Sequence, residues 1–461
     1  MHYVSTRGGA APQSFTAILL EGLAPGGGLY LPEAFPKLSA SELASMRGMG
    51  YRELAFAILS RFADDVPGPD LRAVLDRSYT AKSFGSDEIT PVRTLEPGLH
   101  LLGLSNGPSL AFKDVALQFL GNVFEYILSK RGTSLNILGS TSGDTGSAAI
   151  AGVRGKDAIS IFVMYPDGRT SRLQELQMTS ILDPNVHCIA IQGSFDECQA
   201  IMKDVFNDLP FKTEHSLGAV NSVNWARLLA QIVYYVYATL ALDDGGRKRV
   251  SFSVPTGNFG DIFAGYLALQ MGLPIERLIC ATNENDILSV FFNTGVYRRG
   301  QVHRTISPSM DIQVASNFER FLYLRMGRDS ERLRAFMESF GRRGEATLEG
   351  EQPVDRHISA TAIDTRQTMA TIADVYRDNA YIVDPHTAVG IAAARQMRVD
   401  GPVVCLATAH PAKFPESVDA AIGKPVAKHP RLDALEGVPN RRTVMPARVA
   451  DVKAFVAAHA R

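Results

Sequence analysis

The sequence predicts an α/β protein with parallel sheets covered on both faces, joined to a mostly helical domain at its amino-terminal side. Two observations carry this expectation. From Leu135 onward, strand-like and helix-like segments alternate, and the turns between them are short and rich in Gly, Ser and Thr. Residues 1–95 instead place helical segments such as Ser39–Phe62 between two Gly/Pro-rich stretches, Ala24–Pro32 and Val66–Asp70.

The elements follow in order. Leu135–Leu138 is a short apolar run, followed by a hydroxyl-rich loop and a small-residue helix start at Gly146. Ile159–Met164 reads as a buried strand, Leu173–Ile181 as a helix and Val186–Ile191 as the next strand. Ser194 with Glu197 three residues on is a capping box that opens another helix. Val250–Val254, Asp261–Met271 and Leu278–Ala281 make one β-loop-α-β unit whose helix stops at Gly272. The polar stretch Gly341–His357 is expected to be an irregular break. A helix over Asp364–Arg377 follows it, with Asp364 and Gln367 as its cap, and Val403–Leu406 is a late strand.

Bulk composition limits the partners. Of 461 residues, 47 are Lys or Arg and 48 are Asp or Glu, so the formal net charge of −1 argues against a nucleic-acid or anionic-membrane partner. Cys188, Cys198, Cys280 and Cys405 are scattered without metal-ligand spacing and read as reduced, mostly buried thiols; no metal is expected. The opening MHYVSTRGGAAPQ has no apolar signal core, and the apolar run Leu228–Leu242 is interrupted by Gln231, three tyrosines and Thr239. The expectation is a cytoplasmic protein.

Four segments carry chemistry. The loop Ser253–Asp261 (SVPTGNFGD) lies between a predicted strand and a predicted helix. Gly257 and Gly260 permit close approach of an anion there, and the helix start supplies N–H groups; Asn258 and Asp261 add polar groups. It has neither the Lys-Ser/Thr ending of a Walker loop nor the spacing of a dinucleotide fold. A tight turn is the plainer alternative. Lys113, in the first turn of a helix that begins near Phe112, is flanked by Ala111, Phe112, Val115, Ala116 and Leu117. A lysine desolvated beside a helix amino terminus has its neutral amine favoured, which suits Schiff-base chemistry, although most lysines are solvated surface residues. The loop Gly139–Ile150 (GSTSGDTGSAAI) offers hydroxyls and N–H groups to a carboxylate; its alternative is a turn with Asp144 capping the helix. Cys405–Val418 puts Thr408 just past a strand, with His410 and Lys413 in a loop that need be no more than a connection.

Together the four fit one cofactor, pyridoxal phosphate, in the arrangement of the tryptophan synthase β-like enzymes (fold type II). The sequence resembles the threonine synthase family in particular, through YVSTRG (Tyr3–Gly8), GGGLYLPEAFP (Gly26–Pro36), the FKD motif of Lys113, STSGDTG, PTGNFGD and TAHPAKFPE. These run in the family's order across nearly the whole chain, and the length is similar to the longer fungal and proteobacterial subgroup. Ser109 stands where the family often has Thr.

The resemblance implies two parallel or mixed-sheet α/β domains. Residues 96–215 form a small domain with the lysine and the STSGDTG loop, and residues 216–461 a large domain that binds the cofactor phosphate and ends in helices. It implies that Lys113 holds the cofactor covalently and moves protons at the substrate's carbons. Gly257, Asn258, Phe259, Gly260 and Asp261 bind the cofactor phosphate. Thr408 faces the pyridine nitrogen, and Asp144 lies toward the 3′-oxygen. Ser140, Thr141, Ser142, Gly143 and Thr145 hold the substrate carboxylate. The implied substrate is O-phospho-L-homoserine, handled by a monomer or homodimer. A phosphate leaving group calls for cations; Arg169 and Lys413 are the candidates, Arg169 equally readable as a surface arginine. His386, at a predicted helix start, reads as a cap rather than a catalyst. A phospholyase releasing a 2-oxo acid, a serine/threonine dehydratase and a non-catalytic cofactor binder are the rival readings. TAHPAKFPE and STRGG speak against the dehydratase, and Lys113 against the binder.

Overall fold

A computed structural model describes residues 1–242, 248–350 and 353–461. Two sheets organise them. The larger has six strands in the spatial order Ile358–Ala362, Ile275–Thr282, Val250–Pro255, Val403–Ala407, Leu99–Gly103, Val92–Glu96. All are parallel except Val92–Glu96, which runs antiparallel to its neighbour. The smaller sheet is parallel throughout, in the order Thr443–Pro446, Val186–Gln192, Ile159–Pro166, Leu135–Ser140, Leu217–Gly218. Ile159–Pro166 is buried at every position, as a central strand covered on both faces must be.

The predicted alternation is present, and so are its local signals. Ser194 and Glu197 form the expected capping box, as do Asp364 and Gln367, and Gly272 ends its helix in the left-handed region at φ +108°. The segment Ser39–Phe62 divides into helices Ala40–Met46 and Tyr51–Leu59, parted where Gly48 turns at φ +76°. The amino-terminal region is mostly helical, with one antiparallel strand pair, Tyr3–Ser5 against Tyr30–Pro32.

Two expectations need correction. Gly341–His357 is not irregular throughout. A helix continues to Arg343, and Glu345–Thr347 pairs with Val296–Arg298, while residues 351–352 lie outside the described residues. The boundaries expected at 95 and 215 also do not separate the sheets. Leu99–Gly103 belongs to the larger sheet, whereas Thr443–Pro446 and the helix Val449–His459 belong with the smaller one. Pairing over such separations is set by long-range burial of apolar faces and leaves no local mark.

Three features position the site. From Val250–Pro255 the chain steps outward through Ile275–Thr282 to Ile358–Ala362, then returns on the opposite side of Val250–Pro255 as Val403–Ala407. The carboxyl ends at such a reversal are where open α/β sheets bind ligands. Helices Lys113–Arg131 and Asp144–Val153 cross backbone to backbone. A Cβ on Gly121 lies 2.0 Å from the Gly152 carbonyl oxygen, and one on Gly152 lies 2.5 Å from the Leu117 carbonyl oxygen. Helix Trp225–Leu242 is long and apolar enough to cross a membrane by composition alone, yet 78% of it is buried inside the protein, as a core helix.

Candidate active site

Lys113 opens its helix, as expected, and is nearly buried. Its approach is locked by Asp114, whose carboxylate accepts from the Ser109 amide and the Ser109 hydroxyl, both at 2.8 Å. Serine thus supplies the hydroxyl this lock needs. Gly107 must be glycine because a Cβ there meets the Asp114 side chain at 2.4 Å. Burial lowers the pKa of Lys113; the neighbouring cations Lys413 and Arg227 add to this, while Asp144, 3.6 Å away, opposes it. The result is an amine shifted toward its neutral, nucleophilic form.

Asp144 is held from four elements. Its Oδ1 meets Lys413 Nζ at 2.7 Å and accepts from Gln174 Nε2 at 3.2 Å; its Oδ2 faces Lys113 and accepts from Ser309 Oγ at 3.3 Å. Burial favours the neutral acid, but Lys413 and Lys113 outweigh it and hold Asp144 below the usual carboxylate range. Asp144 does not cap its helix. Thr141 does so, its Oγ1 accepting from the amides of Gly143 and Gly146 at 2.9 and 3.0 Å.

At Val250–Pro255 the chain turns through Thr256–Phe259 into helix Gly260–Met271, with Phe259 at φ +62°. A phenylalanine in that strained region persists only if its surroundings fix it; here Phe292, Phe318 and Phe321 pack on its ring at 5.2–5.8 Å. Gly257 is demanded by the protein itself, since a Cβ lies 2.8 Å from the Ser309 carbonyl oxygen. The segment 222–223 and residues 316–320 buttress the turn. The Asn317 amide donates to the Asn258 carbonyl, and Ser316 Oγ donates to Asn258 Oδ1. The fully buried Arg320 donates to Asn317 Oδ1, the Val223 carbonyl and the Tyr30 carbonyl. Thr6 and Arg7 of the STRGG motif bind the adjacent Glu319. The amino-terminal motifs therefore support this turn from behind.

Asp261 takes hydrogen bonds on Oδ1 from the hydroxyls of Tyr234 and Tyr235, leaving Oδ2 buried without a partner. Burial pushes its pKa up to about 6, against both tyrosines and Lys113. An unfolded aspartate titrates at about 3.9, so folding is penalised once both states are ionised. The penalty is absent below about pH 4, grows between about pH 4 and 6, and is complete above; two units correspond to about 3 kcal/mol. Asp261→Asn keeps an acceptor for both tyrosines and removes the charge. Cofactor-free variant protein should melt above the wild type near about pH 8, with the gap closing toward about pH 4 as the carboxyl protonates. A gap that does not change with pH means Asp261 carries no such penalty.

One cavity, continuous with solvent, gathers these groups. Every residue expected to bind the cofactor lines it: Lys113, Asp144, Gly257, Asn258, Phe259, Gly260, Asp261 and Thr408. Of the expected substrate residues only Thr145 does. Ser140 Oγ is buried without a partner, Thr141 is spent on the helix cap, Ser142 is exposed, and Gly143 packs on Gln174. Arg169 is exposed and off the cavity wall. Lys413 is fully enclosed, committed to Asp144 and to the Ser109 carbonyl at 2.8 Å. His386 does line the cavity and does not cap its helix. Asp384 is the cap, and His386 donates from Nδ1 to Asp384 and accepts on Nε2 from the Ser309 amide.

The sequence reading missed Arg227 and Gln231, both on the cavity wall. Arg227 Nε has no hydrogen-bond partner, and burial pushes its pKa down to about 10. A polar pair four residues apart inside an otherwise apolar helix was the available signal, since such residues share one face.

Comparison with known proteins agrees with this geometry. Residues 2–79 match the family model "Threonine synthase N terminus", residues 90–409 "Pyridoxal-phosphate dependent enzyme" and residues 387–456 "Threonine synthase, C-terminal". Fold and site thus define a pyridoxal-phosphate-dependent enzyme. The chain is 47% identical to a threonine synthase of Methylobacillus glycogenes, covering 100% of both. A pyridoxal-phosphate-bound threonine synthase from Brucella melitensis superposes with a TM-score of 0.97 at 44% identity, over 100% of both chains. The yeast threonine synthase gives 0.94 at 37%, over 99% of this chain and 98% of that one. The chain belongs to the threonine synthase family.

Proposed function

We propose that the chain converts O-phospho-L-homoserine and water to L-threonine and phosphate, with pyridoxal phosphate held in the Lys113 cavity. The observation that carries this reading is a desolvated amine, Lys113, and a buried guanidinium with an unpartnered Nε, Arg227, on the wall of one cavity. The cofactor fits these residues: the amine suits its aldehyde, and a glycine-containing helix start suits its phosphate.

Bound there, pyridoxal phosphate supplies the electron sink for bond changes at the substrate's carbons. Lys113 would hold it through Nζ; once the substrate's amino group replaces that link, the freed amine would remove the proton at Cα and move a proton at Cβ. The turn Gly257–Asp261 binds its phosphate through backbone N–H groups at the helix start, where the dipole favours an anion. Thr408 would present a neutral hydroxyl to the ring nitrogen, which would favour the unprotonated nitrogen where a carboxylate would favour the pyridinium. Asp144 would lie toward the 3′-oxygen, and Thr145 would present a hydroxyl to the substrate carboxylate. Arg227 holds the substrate phosphate, a task its exposed and enclosed competitors Arg169 and Lys413 do not fit.

The test is incubation of purified holoenzyme with O-phospho-L-homoserine, with product identified by mass and chirality. L-threonine and phosphate in equal amounts are expected. A 2-oxo acid in place of threonine would assign the chain to the phospholyase reading instead.

A further inference from the structure

We propose that Lys413 is a positioning residue that sets the charge balance of the Lys113–Asp144 pair and so keeps the Lys113 amine available for attachment of the cofactor. The inference rests on the reading of Lys113 as the attachment site. Its basis is a division of labour between the two oxygens of Asp144. Oδ1 is locked by Lys413 Nζ at 2.7 Å and Gln174 at 3.2 Å, away from the reaction space. Oδ2 is left to Lys113 at 3.6 Å and Ser309. Lys413 has 0% side-chain exposure and is tied at its other side to the Ser109 carbonyl, in the loop that also locks Asp114 next to Lys113. The enclosed Lys413 side chain has two fixed partners, and the nearer of them is the carboxylate that faces the reactive amine.

The sign follows from the groups around the pair. Lys113 faces Asp144, Lys413, Arg227 and Asp261; Asp144 faces Lys113, Lys413 and His386. Without Lys413, Asp144 directs its whole charge at Lys113, whose ammonium form is then favoured, and a direct repulsion is lost as well. Both effects reduce the supply of free amine. Lys413 therefore counteracts the one neighbour that opposes the chemistry of Lys113.

The experiment measures, by absorption of the holoenzyme across pH, the pH at which the cofactor is half attached. Lys413→Met should raise this midpoint by about one unit or more, with kcat/KM at neutral pH falling roughly tenfold per unit. Lys413→Arg, which keeps the charge, should stay near the wild type. Asp144→Asn should move the midpoint downward, and the double variant Lys413→Met/Asp144→Asn, with no unpaired buried charge of its own, should return it toward the wild type. If Lys413→Met does not fold, the opposite shift in Asp144→Asn and the behaviour of the double variant still decide. An unmoved midpoint, or a double variant no closer to the wild type than Lys413→Met, overturns the inference in favour of simple packing. Borohydride labelling of wild-type protein at a lysine other than Lys113 would instead overturn the reading beneath it.

Discussion

Lys113→Ala is expected to abolish turnover by several orders of magnitude while leaving a folded protein that still binds free cofactor weakly. On the reading proposed above, one side chain supplies both the covalent anchor and the base, so no second group shares the loss. The fold survives because the substitution removes an amine that burial already disfavours, and Asp144 keeps Lys413, Gln174 and Ser309 as partners. The check has two parts. Borohydride reduction of wild-type holoenzyme and peptide mapping should place the label within Gly107–Lys130. The alanine variant should take up no label and show thermal unfolding close to that of wild-type apoprotein. Residual activity within tenfold of the wild type would remove Lys113 from the mechanism.

Gly121→Ala is expected to have the largest effect on stability. Its Cβ meets the Gly152 carbonyl oxygen at 2.0 Å and the Gly152 carbonyl carbon at 2.7 Å, both backbone atoms that no side-chain rotation can move. The helices must separate or unwind, at a cost of about 3 kcal/mol or more, against the ~1 kcal/mol that alanine gains over glycine in a helix. Because Lys113 and Asp144 are the first residues of these two helices, their spacing changes with the crossing. Gly341→Ala is the matched control. That glycine also lies in a helix, Ser330–Arg343, but a Cβ there has nothing within 4 Å, so the same substitution should be neutral or mildly stabilising. Thermal midpoints of the two variants decide, and similar values would mean that the crossing yields easily.

What could be read from the sequence was what neighbouring residues encode. The cofactor side of the site sits in strand-to-helix turns, where Gly257 and Gly260, the start at Lys113 and the residue after Ala407 each carry a local signature. The substrate side was less legible. The hydroxyls of the STSGDTG loop look like ligands, but Thr141 is needed to cap a helix, a use that composition cannot distinguish from binding. Arg227 was hidden in a run that reads as plain core. Ser309 and Met310, also on the cavity wall, come from a stretch without periodicity, fixed where Asp311 is bound by nearby Thr305 and by the distant Asn283 and Asn285. The course of the strands was legible, their partition between two sheets was not, because pairing Thr443–Pro446 with Val186–Gln192 spans more than half the chain.

That last pairing sets a timetable for the molecule's synthesis. Strand Val186–Gln192 leaves the ribosome long before Thr443–Pro446, and at ~5–20 residues per second the interval is on the order of tens of seconds. Throughout it, the smaller sheet has an open edge of unpaired backbone groups, the kind that recruits foreign strands. Thr408 and Ala409 are likewise made after the rest of the cavity lining, so the cofactor pocket is finished only once they have emerged. The nascent chain is therefore most exposed to misassociation in the period before either the cofactor or the closing strand can protect it.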